Sequence, residues 1–208
     1  MTSVAAPLLA SRPSEFRLRD GTRVLVRPIR AEDRDRLQVG LHQLSAASRY
    51  QRFHAAVSEL SPQQLRELSE IDHVNHLAWI ALDPTLPEQP AVGVARCIRL
   101  PQEPRTAEVA VTVLDAYQGR GLGTLLLGLL SQTAAAQDIR TFRAYVLEDN
   151  EAMLRIFRDL GAHVGRLDVG EYQLDIPVPE DPGRLPDTPT GRVFKAVAAR
   201  APHEAAGV

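Results

Sequence analysis

The chain has 208 residues, 44% of them hydrophobic and 24% charged, which suits one globular domain with a sizeable core. A formal net charge of −2 and a pI near 6.3 exclude the basic footprint by which nucleic acid or an anionic membrane is bound. The single cysteine, Cys97, cannot close an internal disulfide, and no apolar run approaches the ~18 residues of a membrane span, so a cytosolic protein is expected.

In chain order, residues 1–14 lack a basic stretch ahead of their short apolar run, as a signal peptide would require, and are expected to form a flexible arm. "EFRLRDGTRVLVRPI" alternates apolar and polar residues around Asp20-Gly21, which predicts a β-hairpin. "AEDRDRLQVGLHQL" places Leu37, Leu41 and Leu44 at helical spacing behind acidic residues that suit a helix N-terminus. "SAASRYQRFH" and "SPQQLRELSEI" predict further short helical pieces, polar enough to form a lid or rim. From residue 77 the period changes to strands, "LAWIALD", "AVGVARCIRL" and "AEVAVTVL", in a meander.

The stretch "VLDAYQGRGLGTLLLGLL" then runs from strand through a glycine cluster into a helix, with Leu122, Leu125, Leu126, Leu129 and Leu130 on one face. "TFRAYVL" predicts a strand, and "DNEAMLRIFRDLG" a helix capped by Asp149 or Asn150 and stopped by Gly161. "AHVGRLDV" and "EYQLDI" form a closing pair of strands. These elements describe a single α/β domain over 15–176, a mixed, mostly antiparallel twisted sheet flanked by helices. Pro, Gly, Asp and Ala dominate from 177 onward, so residues 177–208 are expected to be a weakly ordered tail that ligand binding does not need.

A glycine-rich turn opening a helix offers unpaired amides and a positive dipole end, and so suits phosphate. The Walker pattern is excluded because the stretch contains no lysine, and the dinucleotide fingerprint fails because Thr124 stands where its third glycine belongs. Gln118-Gly119-Arg120-Gly121-Leu122-Gly123 instead resembles the Q/R-x-x-G-x-G/A signature of the GNAT acetyltransferase superfamily. The order of elements over about 17–176 matches that family as well. In the amino-terminal half, "RDGTRVLVRPIRAEDRDRL", "LSAASRYQRFH" and "IDHVNHLAWIAL" resemble the GNAT domain of bacterial protein-lysine acetyltransferases.

The resemblance implies a GNAT-like fold and an N-acetyltransferase that uses acetyl coenzyme A, with no metal. Its partner would be a protein bearing an acceptor lysine, and neither nucleic acid nor membrane. The implied cofactor contacts are Val111, Thr112 and Val113 on the strand, Gln118, Gly119, Arg120, Gly121, Leu122, Gly123 and Thr124 in the loop, and Asn150. A lysine amine with a pKa of about 10.4 is neutral in only about one molecule in 2,500 at pH 7, so a proton acceptor is needed. Glu108 occupies the position the resemblance gives to the general base, five residues before Val113, and strand alternation groups its side chain with Ala110 and Thr112. The amine would attack the thioester directly, with an amide near Val111 to Val113 stabilising the oxyanion.

Phe157 departs from the family pattern, since many members carry there a tyrosine that protonates the leaving thiolate. Cys97 is expected to pack as a small hydrophobe. His73 and His76 have a metal-like spacing but no further ligands; with Asp72, Arg49 and Tyr50 they are assigned to the acceptor rim. Regulatory domains attached in some relatives have no place in this chain, so such regulation is expected in trans. Two alternatives remain open at this level: acetylation of a small amine, and a noncatalytic acyl coenzyme A sensor.

Overall fold

The computed structural model describes residues 13–53, 55, 57–168 and 170–200; the expected arm falls outside them but for its last two residues. Asp20 and Gly21 turn the chain between β1 (Ser14–Arg17) and β2 (Arg23–Pro28), with Gly21 at φ +86° and Asp20 Oδ1 accepting from the amide of Thr22. Arg27, buried at the end of β2, donates both terminal nitrogens to the fully buried Asp33 at 2.6 and 2.7 Å. That bidentate pair anchors a short 3-10 turn and α1 (Arg34–Gln43) to the sheet. The acidic residue expected to serve the helix dipole is thus also the partner of a buried arginine. Helices α2 (Ala46–Phe53) and α3 (Pro62–Ser69) follow, the latter opened by a reciprocal Ser61–Gln64 capping box.

The meander is β3 (His76–Leu82), β4 (Ala91–Leu100) and β5 (Glu103–Val113). Then come α4 (Leu122–Ala136), β6 (Thr141–Leu147), α5 (Glu151–Asp159), β7 (His163–Asp168) and β8 (Glu171–Pro177). The eight strands lie in the order β1-β2-β3-β4-β5-β6-β8-β7 and pair antiparallel except at β5–β6. This parallel junction is short, ending at Glu108 opposite Arg143. Beyond it β5 stays with β4 as far as Val113 opposite Gly93, while β6 stays with β8 as far as Leu147 opposite Glu171. The two strands therefore part, leaving a wedge in the middle of the sheet.

The core fills with Val24, Val26, Leu77, Ala95, Leu174 and Ile176 from the strands and with the expected leucine stripe of α4. The other side of α4 is covered too, because Leu127, Gly128 and Ser131 are also buried. What covers them is α6 (Pro189–Arg200), which overturns the expectation of a weakly ordered tail for residues 177–200. Val178, Leu185, Phe194 and Val197 are buried, and the Cβ and Cγ2 of Val197 lie 3.5 Å from where a Cβ on Gly128 would stand. Thr188 and Thr190 hydroxyls donate to the backbone oxygen and Oδ2 of Asp159, both at 2.8 Å. The prevalence of Pro, Gly, Asp and Ala hid a helix whose larger apolar residues, Val193, Phe194 and Val197, fall at helical spacing. Residues 201–208 of the expected tail lie outside the described residues.

Candidate active site

The wedge and the glycine loop form one continuous site. Gly119 and Gly121 adopt φ +71° and +89°, and Gly121 is the left-handed residue from which α4 starts. The first intrahelical bond runs from Leu125 N to Gly121 O, so the amides of Leu122, Gly123 and Thr124 have no helical acceptor behind them. A groove of about 410 Å³ passes over this helix start, along Val111, Thr112 and Val113, and on to Asn150. Because β6 has turned away, the backbone groups of β5 that point from β4 into this gap have no strand partner.

A second cleft of about 480 Å³ adjoins the groove, lined by Glu108, Ala110, Tyr145, Glu171, Asn150 and Phe157 among others. Glu108 stands exposed at the apex, where β5 and β6 separate. Helix α2 forms the rim and is tied to the loop after β5: Ser45 and Ser48 hydroxyls each donate to Asp115 Oδ1 at 2.8 Å, and Ser45 N donates to Oδ2 at 2.9 Å. Gln118 Nε2 joins the same loop to Ser48 Oγ and to the Val113 carbonyl, both at 3.1 Å.

Of the residues singled out in the sequence, Val111, Thr112, Val113, Gln118, Gly119, Gly121, Leu122, Gly123, Thr124 and Asn150 line the groove. Arg120 does not; its guanidinium pairs with Asp20 at 2.8 Å, bonds Thr22 and lies over the Tyr117 ring. Asn150 Oδ1 accepts from Met153 N at 3.2 Å, so the residue caps α5 while facing the groove. Phe157 is buried against the Glu108 cleft. Cys97 is buried in β4, and burial pushes its thiol up to about 12, which leaves it without nucleophilic character.

The "DHVNH" stretch is not brought to the rim. Asp72 accepts from the amides of Val74, Asn75 and His76 to hold its own turn, and His76 Nε2 meets Arg96 Nη1 at 3.1 Å. Among the described residues no three His, Cys, Asp or Glu side chains are grouped to hold a metal ion. Arg49 donates to the Leu44 carbonyl and Tyr50 faces outward. The rim is supplied instead by Ser48, Gln51, Arg52 and Phe53.

Sequence reading missed the three cations of the groove, Arg19, Arg52 and Arg155. Arg19 comes from the β1–β2 turn, where its amide bonds the Arg120 carbonyl at 3.1 Å and its Nε lies 3.4 Å from where a Cβ on Gly121 would stand. Arg155 lies on α5 among Ala152, Ile156 and Asp159, which line the same groove at helical spacing. Thr190 of α6 also reaches the groove, so the C-terminal helix forms part of its wall.

The acetyltransferase (GNAT) domain model matches residues 23–163, and the chain belongs to that family. It is 35% identical over 167 residues to acetyltransferase Pat of Mycolicibacterium smegmatis, an alignment covering 80% of this chain and 49% of that protein. It is 36% identical over 148 residues to acetyltransferase PA5475 of Pseudomonas aeruginosa, covering 71% and 77%. The chain thus spans about half the length of the first relative and three quarters of the second. The crystal structure of the GNAT domain of S. lividans PAT superposes with a TM-score of 0.72 at 31% identity, covering 79% of this chain and 96% of that one. A cAMP-binding acyltransferase from Mycobacterium smegmatis gives 0.61 at 29% identity, covering 95% and 60%. Among the described residues no helix is long and apolar enough to cross a membrane.

Proposed function

We propose that the protein transfers the acetyl group of acetyl coenzyme A to lysine side chains of other proteins. The observation that carries this reading is the position of Glu108 at the apex of the β5–β6 wedge, with the glycine-loop groove on one side and an open polar cleft on the other. The cradle fits the coenzyme: the free amides of Leu122 to Thr124 and the cations Arg19 and Arg155 suit a pyrophosphate. The unpaired edge of β5 suits an extended amide-bearing arm, which binds as an added strand would. Bound there, acetyl coenzyme A supplies an activated acyl carbon.

Glu108 then accepts the proton of the incoming ammonium, directly or through water, so that a neutral amine attacks. A backbone amide near Val111 to Val113 meets the charge that gathers on the carbonyl oxygen. Phe157 has no proton to give; a thiol pKa of about 8.5 lets the sulfur leave as thiolate and take its proton from water. Glu171 lines the same cleft, giving it a second carboxylate to attract a cationic side chain.

The test is to incubate a deacetylated cell lysate with the protein and acetyl coenzyme A, then map acetylated lysines by mass spectrometry. The protein has a single lysine, Lys195, so side-chain self-acetylation is confined to one site and easily subtracted. Enriched sites on other proteins support the reading. Turnover of free polyamines or amino acids without any enrichment would transfer it to small amines.

A further inference from the structure

Beneath the rim, between α1–α3 and the sheet, lies a cavity of about 80 Å³ walled by Leu37, Leu41, Leu44, Leu60 and Leu68. Its floor is Ala110 and Thr112, which share the Glu108 face of β5. Thr112 and Arg52 also line the glycine-loop groove, and Ala110, Arg52 and Phe53 also line the Glu108 cleft. The cavity therefore adjoins the place where the two clefts meet, which is where an acyl carbon must sit for transfer. Arg52 borders all three spaces.

Two guanidinium groups face this apolar cavity. Arg96 is 6% exposed and donates Nη1 to the Leu68 carbonyl and His76 Nε2, both neutral oxygen or nitrogen acceptors at 3.1 Å. His76 brings no negative charge, since burial and then the Arg96 charge hold it near 4, in its neutral form at pH 7. Arg52 has no hydrogen-bond acceptor among the described residues; its guanidinium carbon lies 5.0 Å from the Phe53 ring centre. Glu108 acts on it through space without forming a contact ion pair. A third arginine, Arg36, is occupied with Asp33 at 3.2 Å. Burial lowers both Arg52 and Arg96, the latter to about 9, because neither charge is met by a carboxylate in contact. Buried cations ordinarily come paired, and this cavity is lined by one buried and one half-buried arginine, neither in contact with a carboxylate.

We infer that the cavity receives the acyl part of a coenzyme A thioester whose short chain ends in a carboxylate, of the malonyl or succinyl kind, with methylenes against the leucines and the carboxylate toward Arg52 and Arg96. The inference rests on the reading of the groove as a coenzyme A site. Transfer balances as it does for acetyl: the amine nitrogen bonds the carbonyl carbon, the carbon–sulfur bond breaks, the amine proton goes to Glu108 and the sulfur leaves as thiolate. The product would carry a carboxylate in place of the amine's positive charge.

The experiment compares, by calorimetry, the dissociation constants of acetyl, pentanoyl and succinyl coenzyme A for the full chain, for Arg52→Met and for Arg52→Lys. Pentanoyl is close to succinyl in length but uncharged. The wild type should bind succinyl about ten- to a hundredfold more tightly than pentanoyl, the range expected of a charge-assisted hydrogen bond. Arg52→Met should bring that ratio near one, and Arg52→Lys should keep part of it. Using the ratio within each variant cancels any loss of folded protein. A wild-type ratio near one overturns the proposal while acetyl coenzyme A still binds. Binding of none of the three overturns the coenzyme reading itself. Free succinate binding to protein saturated with acetyl coenzyme A, together with no gain for the succinyl thioester, would place the carboxylate on the acceptor and also overturn it.

Discussion

Glu108 and Arg143 face one another as the last residues paired across β5 and β6, yet Arg143 directs its guanidinium elsewhere, to Asp175 at 2.8 and 2.9 Å and to Glu103 at 2.5 and 3.1 Å. The two acceptors hold the junction together and saturate the arginine, so the carboxylate at the apex of the wedge is not tied up in a contact ion pair with it. The arrangement fixes the backbone of Glu108 while leaving its side chain open to the cleft.

Removal of that carboxylate should therefore impair proton transfer more than coenzyme binding. Glu108→Gln keeps the shape without the basicity, and a loss of about 10²- to 10⁴-fold in rate at pH 7 is expected, with acetyl coenzyme A affinity near wild type. Part of the loss should return as the pH rises toward the amine's own pKa, because a larger neutral fraction needs less assistance. Rates on a verified acceptor from pH 7 to 9.5 check this. Wild-type turnover at pH 7 would remove Glu108 from the mechanism.

The glycine loop makes a two-part prediction. Gly121 sits at φ +89°, and any side chain there strains the backbone by about 1–3 kcal/mol, so Gly121→Val should lower both stability and coenzyme affinity. Gly123 is different: it lies within α4, and an added methyl would rest at an ordinary 3.7 Å from Val111 and Val113. Gly123→Ala should keep or raise the melting temperature while binding coenzyme A about tenfold more weakly, because only the ligand's close approach is blocked. Undiminished affinity in a folded Gly123→Ala protein would move the pyrophosphate away from this helix start.

The C-terminal helix, which composition marked as expendable, is expected to be indispensable. Phe194→Ala should destabilise the protein by about 3–5 kcal/mol, the cost of emptying a buried aromatic site. Ending the chain after Pro179 should do more. It bares Leu127 and Gly128 of α4 and strips Pro189 and Thr190 from the groove wall. Thermal melts and coenzyme titrations of the two variants test this; a truncated chain with wild-type melting and affinity would show that α6 only decorates the domain.

Local chemistry explains which parts of this architecture the sequence disclosed. The Asp20-Gly21 turn, the Ser61-Pro62 helix start, the Asn150 cap and the leucine periodicity of α4 are all encoded within a few residues, and each takes the form expected of it. The glycine loop was legible because its spacing encodes the left-handed residues, Gly119 and Gly121, that lead into α4. Illegible were the relationships made by folding across long separations: Arg19 brought to Gly121, Ser45 and Ser48 to Asp115, and Val197 to Gly128. The rim was misassigned to "DHVNH" because polar, histidine-bearing loops look functional when nothing shows that Asp72 is occupied with the turn's own amides. The cavity beneath α1–α3 could not be foreseen, since its two cations sit on different elements, Arg52 on a helix and Arg96 in a strand.

Acid stability should report on the same buried region. Burial above all, then the adjacent Arg96 charge, hold His76 near 4 against an ordinary value of 6.5, and burial lowers His73 in the same sense. Between about pH 4 and 6.5 the unfolded chain consequently binds more protons than the folded one, so stability is complete above 6.5 and declines as the pH falls toward 4. Asp33 and Asp72 are held below the ordinary carboxylate range. Burial opposes this in both, but is outweighed in Asp33 by the Arg27 and Arg30 hydrogen bonds and in Asp72 by amides of its turn, so their contributions are lost only at still lower pH. His76→Gln retains an acceptor for Arg96 without the titration. Urea midpoints at pH 7 and pH 5 should therefore draw closer together in the variant than in the wild type. An equal drop in both proteins would assign the acid sensitivity to groups other than His76.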